Sequence, residues 1–157
     1  LTTFIGQNLG ARQYDRAKKG ALFGTVCGIG IAEVIGIAVF FFSPYLIAAF
    51  GGDQKAIEYG IAEAHTIALF YCLLAFSHCM AAIQRGAGRS IVPMFVMMIV
   101  WCGVRVTYIS IVIRIIPVIN VIYWAYPLTW FISSVIFLIL FLKTDWIHGL
   151  EKQGQGA

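Results

Sequence analysis

Residues 20–42 read GALFGTVCGIGIAEVIGIAVFFF, a run of 23 residues in which Glu33 is the single charged side chain. A bilayer core about 30 Å thick is crossed by roughly 20 apolar residues in a helix, so this stretch is long enough to span. The rest of the chain agrees: of 157 residues, 61% are hydrophobic and 11% charged, and the mean hydropathy is +0.88. That balance is far from a soluble domain and defines a membrane protein. The net charge of +4 does not point to nucleic acid, because the basic residues sit in short segments between apolar runs, not clustered on one solvated face. Cys27, Cys72, Cys79 and Cys102 fall inside apolar runs without C-x-x-C spacing and read as small packing residues, neither a disulfide frame nor a metal site.

Three further stretches have spanning length. The second covers about 57–85 and is most apolar from Ala64 to Ile83; the third covers 91–116 and the fourth 118–142. The first is expected to end at Ser43-Pro44. Tyr45 to Phe50 is too short to span and reads as an interfacial piece leading into the loop GGDQK at 51–55. The expected fold is all-α: an integral membrane bundle of four transmembrane helices over residues 20–143, with a basic connector at 1–19 and a polar tail at 144–157. Arg12, Arg16, Lys18, Lys19, Arg85, Arg89, Lys143 and Lys152 share one side, whereas Lys55 and Arg114 lie towards the other. The positive-inside rule then places both ends in the cytoplasm. Leu1–Leu9 is mildly apolar and runs straight into the basic connector, so it reads as the inner end of a preceding helix.

The helix faces carry the chemistry. Gly20, Gly24, Gly28, Ala32 and Gly36 recur every fourth position, which lets another backbone approach closely, as helix packing in lipid requires. Glu33 interrupts that stripe near mid-span, where an acid costs about 2.5 to 3.5 kcal/mol. It must face a partner, a cavity or a proton, and is a candidate proton carrier or cation ligand; the structural alternative is a hydrogen-bonded acid that glues helices. In the second span, Ala64, Ala68, Cys72, Ala75, Cys79, Ala82 and Gly86 form one small-residue stripe. Tyr59, Glu63, Thr66, Ser77 and Gln84 lie nearly opposite and read as a wet, cavity-lining face. His65 and His78 read as core histidines. Arg105 has Trp101 four residues before it and Tyr108 three after, so both rings fall on its face for cation–π contact. Glu33 is an alternative counter-ion. The fourth span opens with an aromatic belt, Tyr123, Trp124 and Tyr126, is expected to kink at Pro127, and offers Trp130, Ser133, Ser134 and Phe137 as an aromatic and hydroxyl lining.

Gly6 and Gly10 invite a phosphate-loop reading, but Gly10 is followed by Ala11, Arg12 and Gln13 instead of the Lys-Ser/Thr that such chemistry needs. Together, GQNLGARQYDRAKKG at 6–20, IQRGAGRSIVPM at 83–94, WCGVRVTYI at 101–109 and YWAYPLTWFISSVIFLILF at 123–141 resemble the multidrug and toxic compound extrusion (MATE) family of exporters. That resemblance implies twelve helices in two six-helix lobes around a cleft, each lobe with a G-Q-x-x-G-A stretch matched here by Gly6, Gln7, Gly10 and Ala11. Arg85, Gly86, Gly88 and Pro93 fall in a second motif of structural role. The chain would be the end of helix eight followed by helices nine to twelve, with an upstream portion of the same transporter as its partner.

The resemblance further implies cation-coupled antiport, with sodium ion or proton as coupling ion and no other cofactor, exporting drugs or organic cations by alternating access across the cell membrane. Some members carry acidic coupling residues in helices seven and ten. The segment corresponding to helix ten, around Leu74 to Ser77, holds no carboxylate. Alternatives are a lipid-linked sugar flippase of the same superfamily, which would need a more basic cleft, and a non-transport scaffold. An enzyme is not expected, since no H-E-x-x-H, G-x-S-x-G or His/Cys cluster is present.

Overall fold

The structure, a computed structural model, describes residues 1–148. Among them the helices are α1 (Thr2–Gly10), α2 (Tyr14–Ala49), α3 (Gln54–Ala68), α4 (Tyr71–Gly86), α5 (Ile91–Met97), α6 (Arg105–Ile115) and α7 (Asn120–Lys143), with a π-helical turn at Met98–Val104 joining α5 to α6. Three columns are long and apolar enough to cross a membrane: α2, the continuous α5–α6 column and α7. The pair α3 and α4 passes the same test together but is bent by 58°.

That bend corrects the expectation of one straight second span. Leu69 and Phe70 separate the two halves without any proline or glycine, and Phe70 adopts φ −113°, ψ 13°. The first span is also longer than its hydropathy suggests: α2 continues through Ser43-Pro44 and takes in the segment expected to lie at the interface. Proline at 44 removes the N–H that would bond the Phe40 carbonyl. The Ser43 hydroxyl donates to that same carbonyl at 3.4 Å, so no backbone acceptor is stranded where water is scarce. Pro127 likewise lies within a continuous α7.

The helices pack α2 on α3 and α4, α4 on α7 and α1, and α6 on α7. Because α2 leaves the basic end and α4 and α7 both return to it, α4 and α7 run side by side in the same direction. The small-residue stripe of α2 makes real close approaches. A Cβ at Gly20 would meet the Phe4 ring, one at Gly28 the Cys79 sulfur at 2.9 Å, and one at Gly36 the Ala68 carbonyl oxygen at 2.4 Å. A Cβ at Gly6 would lie 3.3 Å from the Gly86 carbonyl oxygen and one at Gly86 2.7 Å from the Thr2 carbonyl oxygen, so the two glycines seat α1 against the end of α4. A Cβ at Gly10, the second glycine of the same motif, would meet nothing within 4 Å.

Two helices end identically. At α4, Gly88 (φ 82°) follows the cap residue Ala87, its N–H bonds the Arg85 carbonyl at 3.1 Å, and the Arg89 N–H bonds the Gln84 carbonyl at 2.9 Å. At α1, Arg12 (φ 54°) takes the glycine's place: its N–H bonds Leu9 at 3.0 Å and the Gln13 N–H bonds Asn8 at 2.8 Å. Both are Schellman ends, and they account for the GAR and GAGR strings. Pro93 sits in the first turn of α5, where it forfeits no helical bond, and is fully buried.

The tightest core lies at the basic end, where Ile5, Leu9, Ala21, Met80, Ile83 and Phe137 meet Trp146. Residues beyond α7 therefore do not all trail away as a polar tail. Trp146 is 4% exposed and stacks on Phe141 at 5.4 Å between centroids, and the Arg89 guanidinium donates to the Asp145 carbonyl at 3.0 Å. Residues 149–157 of the expected tail, including Lys152, lie outside the described residues.

Candidate functional site

A helix interrupted inside a bilayer leaves backbone N–H groups at the start of its second half, and those must find partners. At the α3–α4 break α2 supplies one. The Glu33 carboxylate accepts a hydrogen bond from the Cys72 N–H, in the first turn of α4, at 3.2 Å. One helical turn further along the same face of α2, Gly36 admits the Ala68 carbonyl that closes α3. The mid-span acid and the glycine stripe therefore grip opposite sides of one break, the carboxylate on the positive end of the α4 dipole.

A polar seam continues from the break between α4, the α5–α6 column and α7. The Ser77 hydroxyl lies 2.9 Å from both the Ser133 and the Ser134 hydroxyls. Ser134 donates to the Leu73 carbonyl at 3.1 Å and Ser133 to the Trp130 carbonyl at 3.0 Å, and the Trp101 indole N–H reaches Ser133 at 3.4 Å. Ser77, expected on a wet face, is fully buried, and so is Gln84 in the core at the basic end, its amide oxygen without a hydrogen-bond partner. Ser77 and Gln84, two turns apart on one face of α4, are buried because α4 packs on α7 and α1 as well as on α2.

One turn along α7, Arg105 donates to the Thr129 hydroxyl from Nη2 at 2.7 Å and from Nε at 3.3 Å. Its guanidinium carbon stands 4.3 Å from the Tyr126 ring centre and 5.8 Å from that of Trp101. The second shielding ring is thus Tyr126 of α7 and not Tyr108. Tyr108 lines a separate groove of about 450 Å³ along α6 with Gly103, Thr107 and Ile111. Trp130 is buried, with Tyr71 and Tyr126 edge-on at 6.1 and 6.2 Å. His78, expected in the core, is exposed and edge-on to Trp101 at 5.3 Å, while His65 stacks on Phe40 at 4.4 Å. Glu33 and Arg105, which the sequence alone allows as an ion pair, keep different partners.

Towards the other end, where α3 packs on α7, Glu63 is half-buried and Tyr59 exposed. Tyr123 is 3% exposed and its hydroxyl has no hydrogen-bond partner. Among the described residues, no three His, Cys, Asp or Glu side chains converge to hold a metal ion, and the four cysteines are free thiols.

Three residues of the seam escaped the sequence reading: Thr129, the Tyr126 ring as the arginine's platform, and the Cys72 backbone N–H. Thr129 precedes Trp130 and stands four before Ser133, so its position was available as a signal. The Cys72 N–H carries none, because a backbone donor is freed only by the break.

An all-helical column set with a hydrogen-bonded acid, an aromatic-shielded arginine and a serine cluster inside its apolar columns is the build of a multi-pass membrane protein. A family model, MatE, matches residues 1–116, nearly three quarters of the chain. The chain belongs to the MatE family, whose members are membrane transporters of the multidrug efflux type. No curated protein matches the chain significantly, and neither does any solved structure.

Proposed function

We propose that the chain contributes one wall of a cation-coupled antiporter that exports drugs or organic cations by alternating access, with sodium ion or proton as the coupling ion. The observation that carries this reading is the Glu33 carboxylate bound to the Cys72 N–H at the broken span. Interrupted helices in transporters offer free backbone dipoles to ions. Here a carboxylate can exchange one backbone hydrogen bond for a proton or a cation, and that exchange alters what holds the two halves of the span together.

Glu63 on α3 is the second acidic position in this scheme. Ser77, Trp130 and Arg105 set the interior wall, Tyr108 the outer groove, and Gln84 the packed basic end. The glycines of the two motifs, with Gln7, Ala11, Arg85 and Pro93, maintain helix ends and close approach. The partners in this reading are the lipid bilayer, the rest of the transporter and small cationic substrates. The location is the plasma membrane, and the basic end, with both ends of the chain, is cytoplasmic. The bias of Arg12, Arg16, Lys18, Lys19, Arg85, Arg89 and Lys143 supports that orientation.

The test is ethidium efflux from vesicles containing the intact protein, driven by an imposed sodium or proton gradient. Glu33→Gln keeps a hydrogen-bond acceptor for Cys72 but no charge, and is expected to abolish gradient-driven efflux. Normal driven efflux in Glu33→Gln would remove Glu33 from the coupling role.

A further inference from the structure

At the basic end, an apolar groove of about 450 Å³ runs between α2, α4 and α7, walled by Leu22, Thr25, Phe76, Met80, Leu138 and Trp146. Next to it lies a polar pocket of about 500 Å³ that includes Arg12, Arg16, Tyr14, Asp15 and His148. Lys18 and Ile147 line both. From this continuity we infer that the protein binds an anionic phospholipid here, one acyl chain in the groove and the phosphate at Arg16 and Lys18.

Three observations converge on that occupant. First, the groove asks for no polar partner. Its one hydroxyl, Thr25, already donates to the Ala21 carbonyl at 2.7 Å, and Leu22 at its mouth is 70% exposed, so the groove opens sideways, as towards lipid. Second, the charges complement a phosphate. Among the described residues, Arg16 and Lys18 line the polar pocket beside the single carboxylate of Asp15. Arg16 has only a long contact of 3.4 Å to Gln13. Third, the walls are fixed. Trp146 is stacked on Phe141, and the turn carrying it is tied to Arg89. From Lys18 to Thr25, α2 rises about 10 Å, which places the cations at the head of the groove where an interfacial headgroup belongs, and basic pockets between membrane helices are suited to such groups.

The experiment reconstitutes the intact protein in nanodiscs of equal phosphatidylglycerol and phosphatidylcholine and measures co-released lipid by native mass spectrometry. Preferential retention of phosphatidylglycerol is expected. The double variant Arg16→Gln/Lys18→Gln is expected to lower that preference by about 30-fold, the electrostatic share of two interfacial cations. Leu22→Trp, at an exposed position whose substitution leaves the core intact, is expected to expel the retained lipid by filling the groove. Millimolar inorganic phosphate is expected not to displace it. Equal retention of both lipids, a preference that survives the double variant, or unchanged retention in Leu22→Trp would overturn the assignment. So would complete displacement by phosphate, or cross-linking that finds the groove covered by another part of the protein or a second copy.

Discussion

The carboxylate of Glu33 and the backbone N–H of Cys72, 39 positions apart in the chain, meet at 3.2 Å where the second span breaks. A mid-membrane acid thereby satisfies a donor that the break itself creates. Removing the acceptor and removing the charge are therefore separable. Glu33→Gln is expected to leave thermal stability within about 0.5 kcal/mol of the unaltered protein, whereas Glu33→Leu strands the Cys72 N–H at a cost of about 1–3 kcal/mol. Denaturation in detergent distinguishes the two, and equal stability would mean that the break does not depend on this bond.

Gly36 tests the other side of the same break. Its Cβ position lies 2.4 Å from the Ala68 carbonyl oxygen, a backbone atom that cannot swing aside as a side chain would. Gly36→Ala is expected to destabilise by about 1–3 kcal/mol through overpacking, and a spin-label pair across α3 and α4 is expected to report a changed bend. Gly30, on the same helix with nothing within 4 Å, is the control, and Gly30→Ala is expected to be neutral or slightly stabilising.

The serine cluster makes a measurable coupling. Ser77 is fully buried and bonds Ser134 at 2.9 Å, while Ser134 is also tied to the Leu73 carbonyl. In a double-mutant cycle, Ser77→Ala and Ser134→Ala are expected to couple by about 0.5–1.5 kcal/mol, near the level found for hydroxyl bonds between membrane helices. A coupling energy indistinguishable from zero would show that the two hydroxyls do not stabilise one another.

Arg105 presents two N–H groups to Thr129 while its plane rests on Tyr126. Lysine cannot reproduce both contacts. Arg105→Lys is therefore expected to lose most of the stability lost in Arg105→Gln, and Thr129→Val is expected to cost about 1.5–3 kcal/mol with arginine present and much less once it has been replaced. Full rescue by lysine would reduce the site to a point charge.

At the end of α4, Gly88 holds φ 82°, where a side chain costs about 1–2 kcal/mol. Gly88→Ala is expected to lower stability by that amount, whereas Gly88→Asn, which tolerates the left-handed region, is expected to lose less. Equal losses would place the penalty in packing instead of backbone conformation.

Much of the architecture is legible in the chain because lipid imposes a local rule: about 20 apolar residues make a span. That rule located the α2, α5–α6 and α7 columns and the stretch that folds as the bent α3–α4 pair, and the four-residue spacing of Gly20 to Gly36 located the face of α2 that packs. Glu33 and Arg105 stood out since a charge in an apolar run is costly wherever it points. Less was legible in α3–α4 and in the segment after Lys143. The small and polar stripes there assume one unbroken helical phase, and Trp146 looks like part of a polar tail until a core is present to receive it.

What the sequence determined by itself was thus a sum over neighbours in the chain: membrane class, the apolar runs long enough to span, and the basic segments between them. The tertiary structure alone decided where the second span breaks, which ring covers Arg105, and that Ser77 and Gln84 are buried. The physical reason is that no residue at Leu69-Phe70 disfavours a helix. The break persists because Gly36 and Glu33, on another helix, accommodate its carbonyl and its N–H, and such a preference exists only once the two helices are packed together.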